Sequence, residues 1–283
     1  MGSFTATVAR PTGTNVILWI RTFCAIAGSG FRRYATYRQA AVAGVVTNTV
    51  FGFLHCYVFL AVAGPGGTAA GYTREQLATF VWAGQGLFAM ILLGFWSDVA
   101  DRIRTGEIAA DLLRPINPVT SYLATDLGRA GWAAVSRAVP PVLVGSLVFS
   151  VHLPGRAATV PLFGCSVVIA VVLCFGCRYL VNTTAYWLHD VRGPMILWTF
   201  ASGVLSGLYF PLRFLPDAVL RPLWVATPFP SLFQTPLDVL VERDPLPTQL
   251  GLVAVQAGWA VAVLALCRVV QRRAERRMVV QGG

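Results

Sequence analysis

All 22 cationic side chains of this chain are arginine, and no lysine occurs at any position. That absence removes chemistry. A P-loop needs Gly-Lys-Ser/Thr to reach the β- and γ-phosphates of a nucleotide, and Schiff-base catalysis needs a primary amine. The chain therefore carries no P-loop of its own. Cys174-Phe-Gly-Cys177 has a Cys-x-x-Cys spacing, but a structural zinc needs four ligands and no second cysteine pair stands nearby in sequence. Both cysteines read as small apolar packing residues. His55 and His189 are single histidines with no matched carboxylate and nucleophile beside them, so structural roles are the simpler reading. Asp126 and Arg129, one helical turn apart, read as an ion pair, and Arg178 reads as a side chain that snorkels toward water.

The elements that must hold these residues are unusual. The chain has 283 residues, 56% hydrophobic and 12% charged, with mean hydropathy +0.65. Soluble domains are roughly 45–50% apolar and about 25% charged. A soluble globule of this length has no way to hide so much apolar surface, and a disordered chain has the opposite composition. What remains is an all-α polytopic membrane protein. A bilayer-crossing helix needs about 20 predominantly apolar residues, and six segments qualify: 40–63, 76–97, 130–152, 157–181, 194–212 and 246–267. Residues 14–38 place Val16, Ile20, Phe23, Ala27, Phe31 and Tyr34 on one stripe at helical spacing. They read as an amphipathic helix lying in the membrane interface; the alternative is a frayed tail, because Gly28 and Gly30 weaken a helix. The organisation is then residues 1–39 as a cytoplasmic N-terminus with its interfacial helix, 40–268 as the transmembrane domain, and 269–283 as a basic cytoplasmic tail.

Six spans put both termini on one side. Fourteen arginines fall on that side and five on the other, so the positive-inside bias places both ends in the cytoplasm. The net charge of +10 is then a property of the inner face. Orientation and anionic headgroups account for it, and nucleic acid is not an expected partner. Charges within spans are functional candidates by default. Arg137 either snorkels or faces a translocation path for anionic or polar cargo, and His55 is the second candidate for lining such a path. Gly203-x-x-x-Gly207 in the fifth span allows close helix approach, at a seam between subunits or within one.

Two connections are more than loops. Residues 104–115 read as one short amphipathic helix with Ile108, Leu112 and Leu113 on its apolar face. Glu107, Asp111 and Arg114 form its charged face, and Pro115 and Pro118 stop it. Such a helix suits docking onto a soluble partner, or it contacts nothing. Residues 211–247 hold 8 of the 17 prolines. They are too apolar for a free loop and too proline-broken for a span. Short helices dipping into the outer leaflet satisfy both facts.

At this point the sequence resembles a known family. Phe31-Arg-Arg-Tyr-Ala-Thr-Tyr-Arg38, then Gly106-Glu-Ile-Ala-Ala-Asp-Leu-Leu-Arg-Pro-Ile-Asn-Pro118, then Tyr209-Phe-Pro-Leu-Arg-Phe-Leu-Pro-Asp217 with Thr227-Pro-Phe-Pro230 and Thr235-Pro236 stand in the order found in ABC-2 type permeases of ATP-binding-cassette transporters. The match is closest to a six-span subfamily typified by viologen-exporter-like permeases. The resemblance implies that the segment after span two is a coupling helix seated on an ATPase subunit, with Arg104, Glu107, Asp111, Leu112, Leu113 and Arg114 at the contact. It implies that the region holding Pro211, Phe214, Pro216, Phe229, Pro230 and Pro236 is an external helical hairpin closing the outer mouth.

The implied assembly has two ATPase subunits and a second permease, a copy or a homologue, in a bacterial plasma membrane. ATP and Mg would be bound by the partner ATPase and no cofactor by this chain, which is not itself an enzyme. The expected function is ATP-driven export of an amphiphilic or hydrophobic molecule, peptide or lipid-like substrate by alternating access. A channel or carrier without ATP coupling, and an intramembrane enzyme, are the alternatives.

Overall fold

The computed structural model describes residues 13–281 apart from positions 65, 95 and 189, with side chains over 16–275 apart from position 40 as well. His189, Arg10 and the side chains of Arg276 and Arg277, used above, lie outside the described residues. Along the chain run α1 (Gly13–Ala35), α2 (Arg38–Ala63), β1 (Thr68–Ala69), β2 (Tyr72–Thr73), α3 (Arg74–Met90), α4 (Asp98–Arg104) and α5 (Ile108–Leu112). Then follow α6 (Pro118–Ala133), α7 (Val139–Val148), α8 (Thr159–Thr183), α9 (Arg192–Leu205), α10 (Asp217–Ala226), α11 (Gln234–Leu240) and α12 (Leu246–Gln281). The architecture is an all-α polytopic membrane protein. A small deviation is the antiparallel β1–β2 hairpin, paired Thr68 to Thr73 and Ala69 to Tyr72, which the hydropathy pattern did not reveal.

Among the described residues, four helical stretches are long and apolar enough to cross a bilayer: Ala41–Ala63, Pro118–Val148, Thr159–Tyr186 and Leu246–Glu275. The second and fifth expected spans are shorter. α3 has 17 helical residues and α9 has 14. A lipid-facing span needs an apolar belt of about 30 Å, but α3 is mostly covered by protein, with Leu77, Phe80, Val81, Trp82 and Leu87 all buried. α9 ends seven residues before its expected boundary because Gly207, at φ +92°, turns the chain out of the helix. Gly203 then packs against Tyr209 and Gly207 against Gln234. The Gly-x-x-x-Gly pair is thus consumed inside this chain by a helix end and is not a helix-helix seam.

α8 is the central post: half of its apolar window is buried, against 28% or less for the other three. It packs against α12 and α11, and its Leu173, Cys174 and Phe175 join Leu77 and Phe80 of α3 in the main core. α12 continues unbroken through Arg268 and the basic residues beyond it. α1 lies along α6 at very close range. A Cβ at Gly30 would stand 2.5 Å from the Thr125 carbonyl oxygen, and one at Gly128 would stand 2.0 Å from that of Ala27. The glycine that argued against a helix is therefore one that lets two helices touch.

The third span starts twelve residues earlier than expected. Pro118 does not stop a helix. It opens one, at the first helical position, where its missing N–H is not needed, and the Asn117 side chain caps the Val119 N–H at 2.9 Å. α6 and α7 are joined by a π turn, Ala134–Ala138. Pro140 and Pro141 cause it, since neither donates a hydrogen bond back to the carbonyls of Ser136 and Arg137. Beyond this turn Gly145 meets the indole of buried Trp82 so closely that a Cβ would stand 2.1 Å from it.

Candidate functional site

α3 separates two polar regions, one past its end at α4 and α5, the other before its start at the β-hairpin. At the first, the sequence pattern suggests one helix over 104–115, and the structure instead has an elbow. α4 ends at Arg104; Thr105 and Gly106 donate back to Asp101 and Ile103 at 2.9 and 3.2 Å, and Gly106 sits at φ +79°. That left-handed conformation is open to glycine at little cost, so α5 leaves in a new direction. Ile108 is fully buried, whereas Leu113 is 88% exposed and Leu112 half-buried. The apolar face expected of these three residues is thus divided between core and surface.

The charged face is divided too. Asp111 is buried and accepts from Arg102 Nε at 2.8 Å and the Tyr122 hydroxyl at 2.7 Å, with Arg114 Nη1 at 3.4 Å. Arg102 also reaches Glu107 at 3.1 Å. The hydrogen bond to Asp111 holds Arg102 above the ordinary arginine range. Asp111 therefore clamps α5 to α4 and α6, while Arg104, Glu107, Leu113 and Arg114 are exposed. α4 is fixed in turn by the Ala100 N–H, which donates to the Asn182 side chain of α8 at 3.0 Å.

Under the elbow is a cavity of about 400 Å³, bordered by Arg33 of α1, Asp98 and Asp101 of α4, and Asp111 and Asp126. At its base Asp126 accepts from Arg129 Nε at 2.7 Å and from Arg178 Nη2 at 2.8 Å. Arg129 also donates to the Met90 carbonyl at 2.8 Å, and Arg178 lies 4.9 Å over the Trp96 ring. The expected Asp126–Arg129 pair is present. Arg178 does not snorkel: it is 2% exposed and completes a triad joining α3, α6 and α8. One carboxylate shared by two arginines at membrane depth is tolerable because each charge keeps an opposite neighbour.

At the other end the proline-rich segment is a helical hairpin, but not a surface cap. α10 is largely exposed, whereas α11 is buried from Gln234 to Val239 against α8, α3 and α12. Pro211, Pro230 and Pro236 are buried, Phe214 stands edge-on to Phe59 at 6.0 Å, Phe229 lies 6.0 Å from Trp198, and Pro216 is exposed where α10 begins. Gln234 accepts from the Leu212 N–H at 2.7 Å and donates to Asp238 at 2.8 Å. Tyr72 of the β-hairpin also donates to Asp238, and Arg213 Nε does so at 3.1 Å. Arg213 reaches Asp244 at 2.8 Å and lies 4.6 Å over the Trp224 ring. Burial raises the Asp238 carboxyl above its ordinary value, against the pull of Arg213. Beside this network Glu242 accepts from the Thr159 hydroxyl and from the N–H groups of Arg156 and Gly155, at 2.8 and 3.1 Å. Burial pushes its carboxyl up, and those donors outweigh it, leaving it below the usual glutamate value.

The two path candidates are not brought together. His55 stacks on Phe59 at 6.1 Å with Gln85 Nε2 at 3.5 Å, beside a void of about 10 Å³, room for one water at most. Arg137 touches α2 at Gly44, about 16 Å along the helix axis from His55. Sequence reasoning missed Tyr72, Arg213, Gln234 and Asp238; the i, i+4 spacing of Gln234 and Asp238 among prolines was the available signal. Cys174 is buried in α8 with its thiol 3.5 Å from the Leu92 carbonyl, and Cys177 is buried beside it.

A family model described as ABC-2 family transporter protein matches residues 46–282. No curated protein and no solved structure gives a match.

Proposed function

The chain belongs to the ABC-2 transporter family, a multi-pass membrane protein that serves as a transport subunit, and from that premise we propose that it couples a separate ATPase to export across a bacterial plasma membrane. The reading with both termini cytoplasmic puts the α4–α5 elbow beside the ATPase and the α10–α11 hairpin at the outer mouth. Two ATPase subunits bind ATP and Mg, and a second permease, a copy or a homologue as in viologen-exporter-like systems, completes the pathway. The cargo is an amphiphilic or hydrophobic molecule.

One observation carries this reading: Asp111 locks the elbow from within while Leu113 and Arg114 are exposed, as are Arg104 and Glu107 of the same short segment. An exposed leucine on a segment carrying both signs of charge suits a groove on a soluble partner. ATP binding draws the ATPases together and pushes on the elbow. Because α4 is tied to α8 by Asn182, and α8 to α3 and α6 by the Asp126 triad, the push passes into the helices against which α11 is packed. Coupling requires that the elbow's contacts differ between the two states.

The test is co-purification of a co-expressed ATPase subunit with the wild-type chain and with the Leu113→Asp, Arg114→Glu double variant. Loss of the ATPase, with the helix content of the chain intact, is the expected result. Unchanged assembly and ATP-dependent transport would remove the elbow's role, and transport that persists after ATP depletion would replace the whole reading with that of a passive carrier.

A further inference from the structure

Arg137 is a cation in a membrane-spanning helix that its neighbours leave unanswered. It stands in the π turn, eight residues beyond Arg129, and its Nε is shielded from solvent with no hydrogen-bond partner. Among the described residues no ion pair includes it. Asp126, the acid nearest to it in sequence, has one oxygen engaged by Arg129 and the other by Arg178. A place is nevertheless kept for the guanidinium: a Cβ at residue 44 would come within 2.5 Å of Nε, so the glycine of α2 is what gives the side chain room.

Beside it is a cavity of about 220 Å³, bordered by Tyr37, Ala41, Phe88, Leu93 and Trp132 as well as Arg137. Phe88 is 38% exposed and Tyr37 65% exposed, so the cavity reaches the surface of the bundle where lipid would lie. That volume equals about seven waters at roughly 30 Å³ each. It holds a small anionic group and a few carbons but not a whole lipid. A guanidinium presents a planar fork of donors that matches phosphate or carboxylate oxygens. An unpaired charge at membrane depth is costly, and an incoming anion relieves the cost.

We propose that Arg137 and this cavity bind the anionic head of an amphiphile, a phosphate or carboxylate whose hydrocarbon chain runs out into the bilayer. The idea rests on the transport reading only for the claim that such amphiphiles are cargo; the binding itself belongs to this chain. A resident phospholipid and a single-chain transported amphiphile share the chemistry, and the experiment separates them.

The full-length chain in a neutral detergent is titrated with dodecyl phosphate, with dioleoyl phosphatidylglycerol and with uncharged dodecanol, and adducts are counted by native mass spectrometry. Arg137→Gln should weaken both anionic probes by about tenfold or more while leaving dodecanol unchanged. Gly44→Val, which takes the guanidinium's place but keeps its charge, should do the same. Circular dichroism shows whether each variant keeps its helices, and Arg137→Gln, which only removes an unpaired charge, is the one expected to fold without loss. Preference for phosphatidylglycerol identifies a lipid site and preference for dodecyl phosphate identifies a cargo site; both support the proposal. Equal binding of the anionic probes to wild type and Arg137→Gln overturns it. If no ATPase co-purifies yet binding still depends on Arg137, the transport reading falls and the site stands. If the ATPase co-purifies and binding ignores Arg137, only the site falls.

Discussion

The elbow and the hairpin each consist of two short helices, and the core treats them in opposite ways. In the elbow only Ile108 and Asp111 of α5 are inside, and Leu113 and Arg114 are outside. In the hairpin nearly all of α11 is inside, and Gln234, Asp238 and Arg213 are bonded to three separate stretches of chain. The elbow is a surface held from beneath by Ile108, Asp111 and the Ala100–Asn182 hydrogen bond, the arrangement expected of a part that another protein grips. The hairpin is a piece of the core that happens to be a loop, so any motion there has to move α8 and α3 with it.

That contrast can be broken by experiment, beginning with the largest effect. Asp238→Ala leaves Arg213 and Tyr72 without their shared acceptor, and loss of one partner of a buried ion pair costs about 3–5 kcal/mol. The expected outcome is a large fall in melting temperature in detergent; a fall no greater than that of a surface variant would show that the hairpin is not part of the core. Asp111→Ala removes the elbow's clamp and its charged hydrogen bonds, for a loss of about 2 kcal/mol. Its melting point should drop less than that of Asp238→Ala, and ATPase association should weaken as α5 loosens.

A pH series sharpens the comparison. Because the folded chain holds Glu242 below its ordinary value near 4.5, the stability it lends is complete above that pH and is lost as pH falls through the lower folded value. The melting temperature of wild type should therefore fall more steeply below pH 4.5 than that of Glu242→Gln. Parallel curves would show that the Thr159, Arg156 and Gly155 contacts do not act on the carboxylate. The smallest effect on stability belongs to Leu113→Asp, within about 0.5 kcal/mol because the side chain is already in solvent, and its whole consequence should appear as lost ATPase co-purification.

Composition alone was enough to show a membrane protein, since nothing else accommodates so few charges. Long apolar runs located α2 and α8 within a few residues and the start of α12, whose helix runs on through the basic tail. What hydropathy could not read was polar sequence made harmless by pairing. Asp126 and Arg129 looked like the boundary of a span because they carry charge, yet they lie inside a helix that starts at Pro118, neutralised with Arg178 from elsewhere in the chain. Arg178 looked like a snorkelling end for the same reason. Gly207 ended a helix that periodicity had carried onward, and Gly106 broke one that periodicity had run through it, because a left-handed φ at a glycine is decided by what packs around it. The segment over 104–115 was singled out by its motif, but which of its side chains face outward depended on Asp111 being drawn inside by Arg102, a residue of the preceding helix.

The π turn between α6 and α7 has a consequence for how this bundle tolerates change in length. It holds one more residue than an ordinary helical turn. Removing a single residue there would restore a regular helix. The wider turn absorbs that residue, so the helix beyond it keeps its face and Gly145 stays against the indole of Trp82. A residue lost from the regular turns of α7 between the π turn and Gly145 has no such buffer: it would swing Gly145 by about 100° about the helix axis, away from the indole. The same lost codon is thus absorbed at one point of this helix and disruptive a turn later.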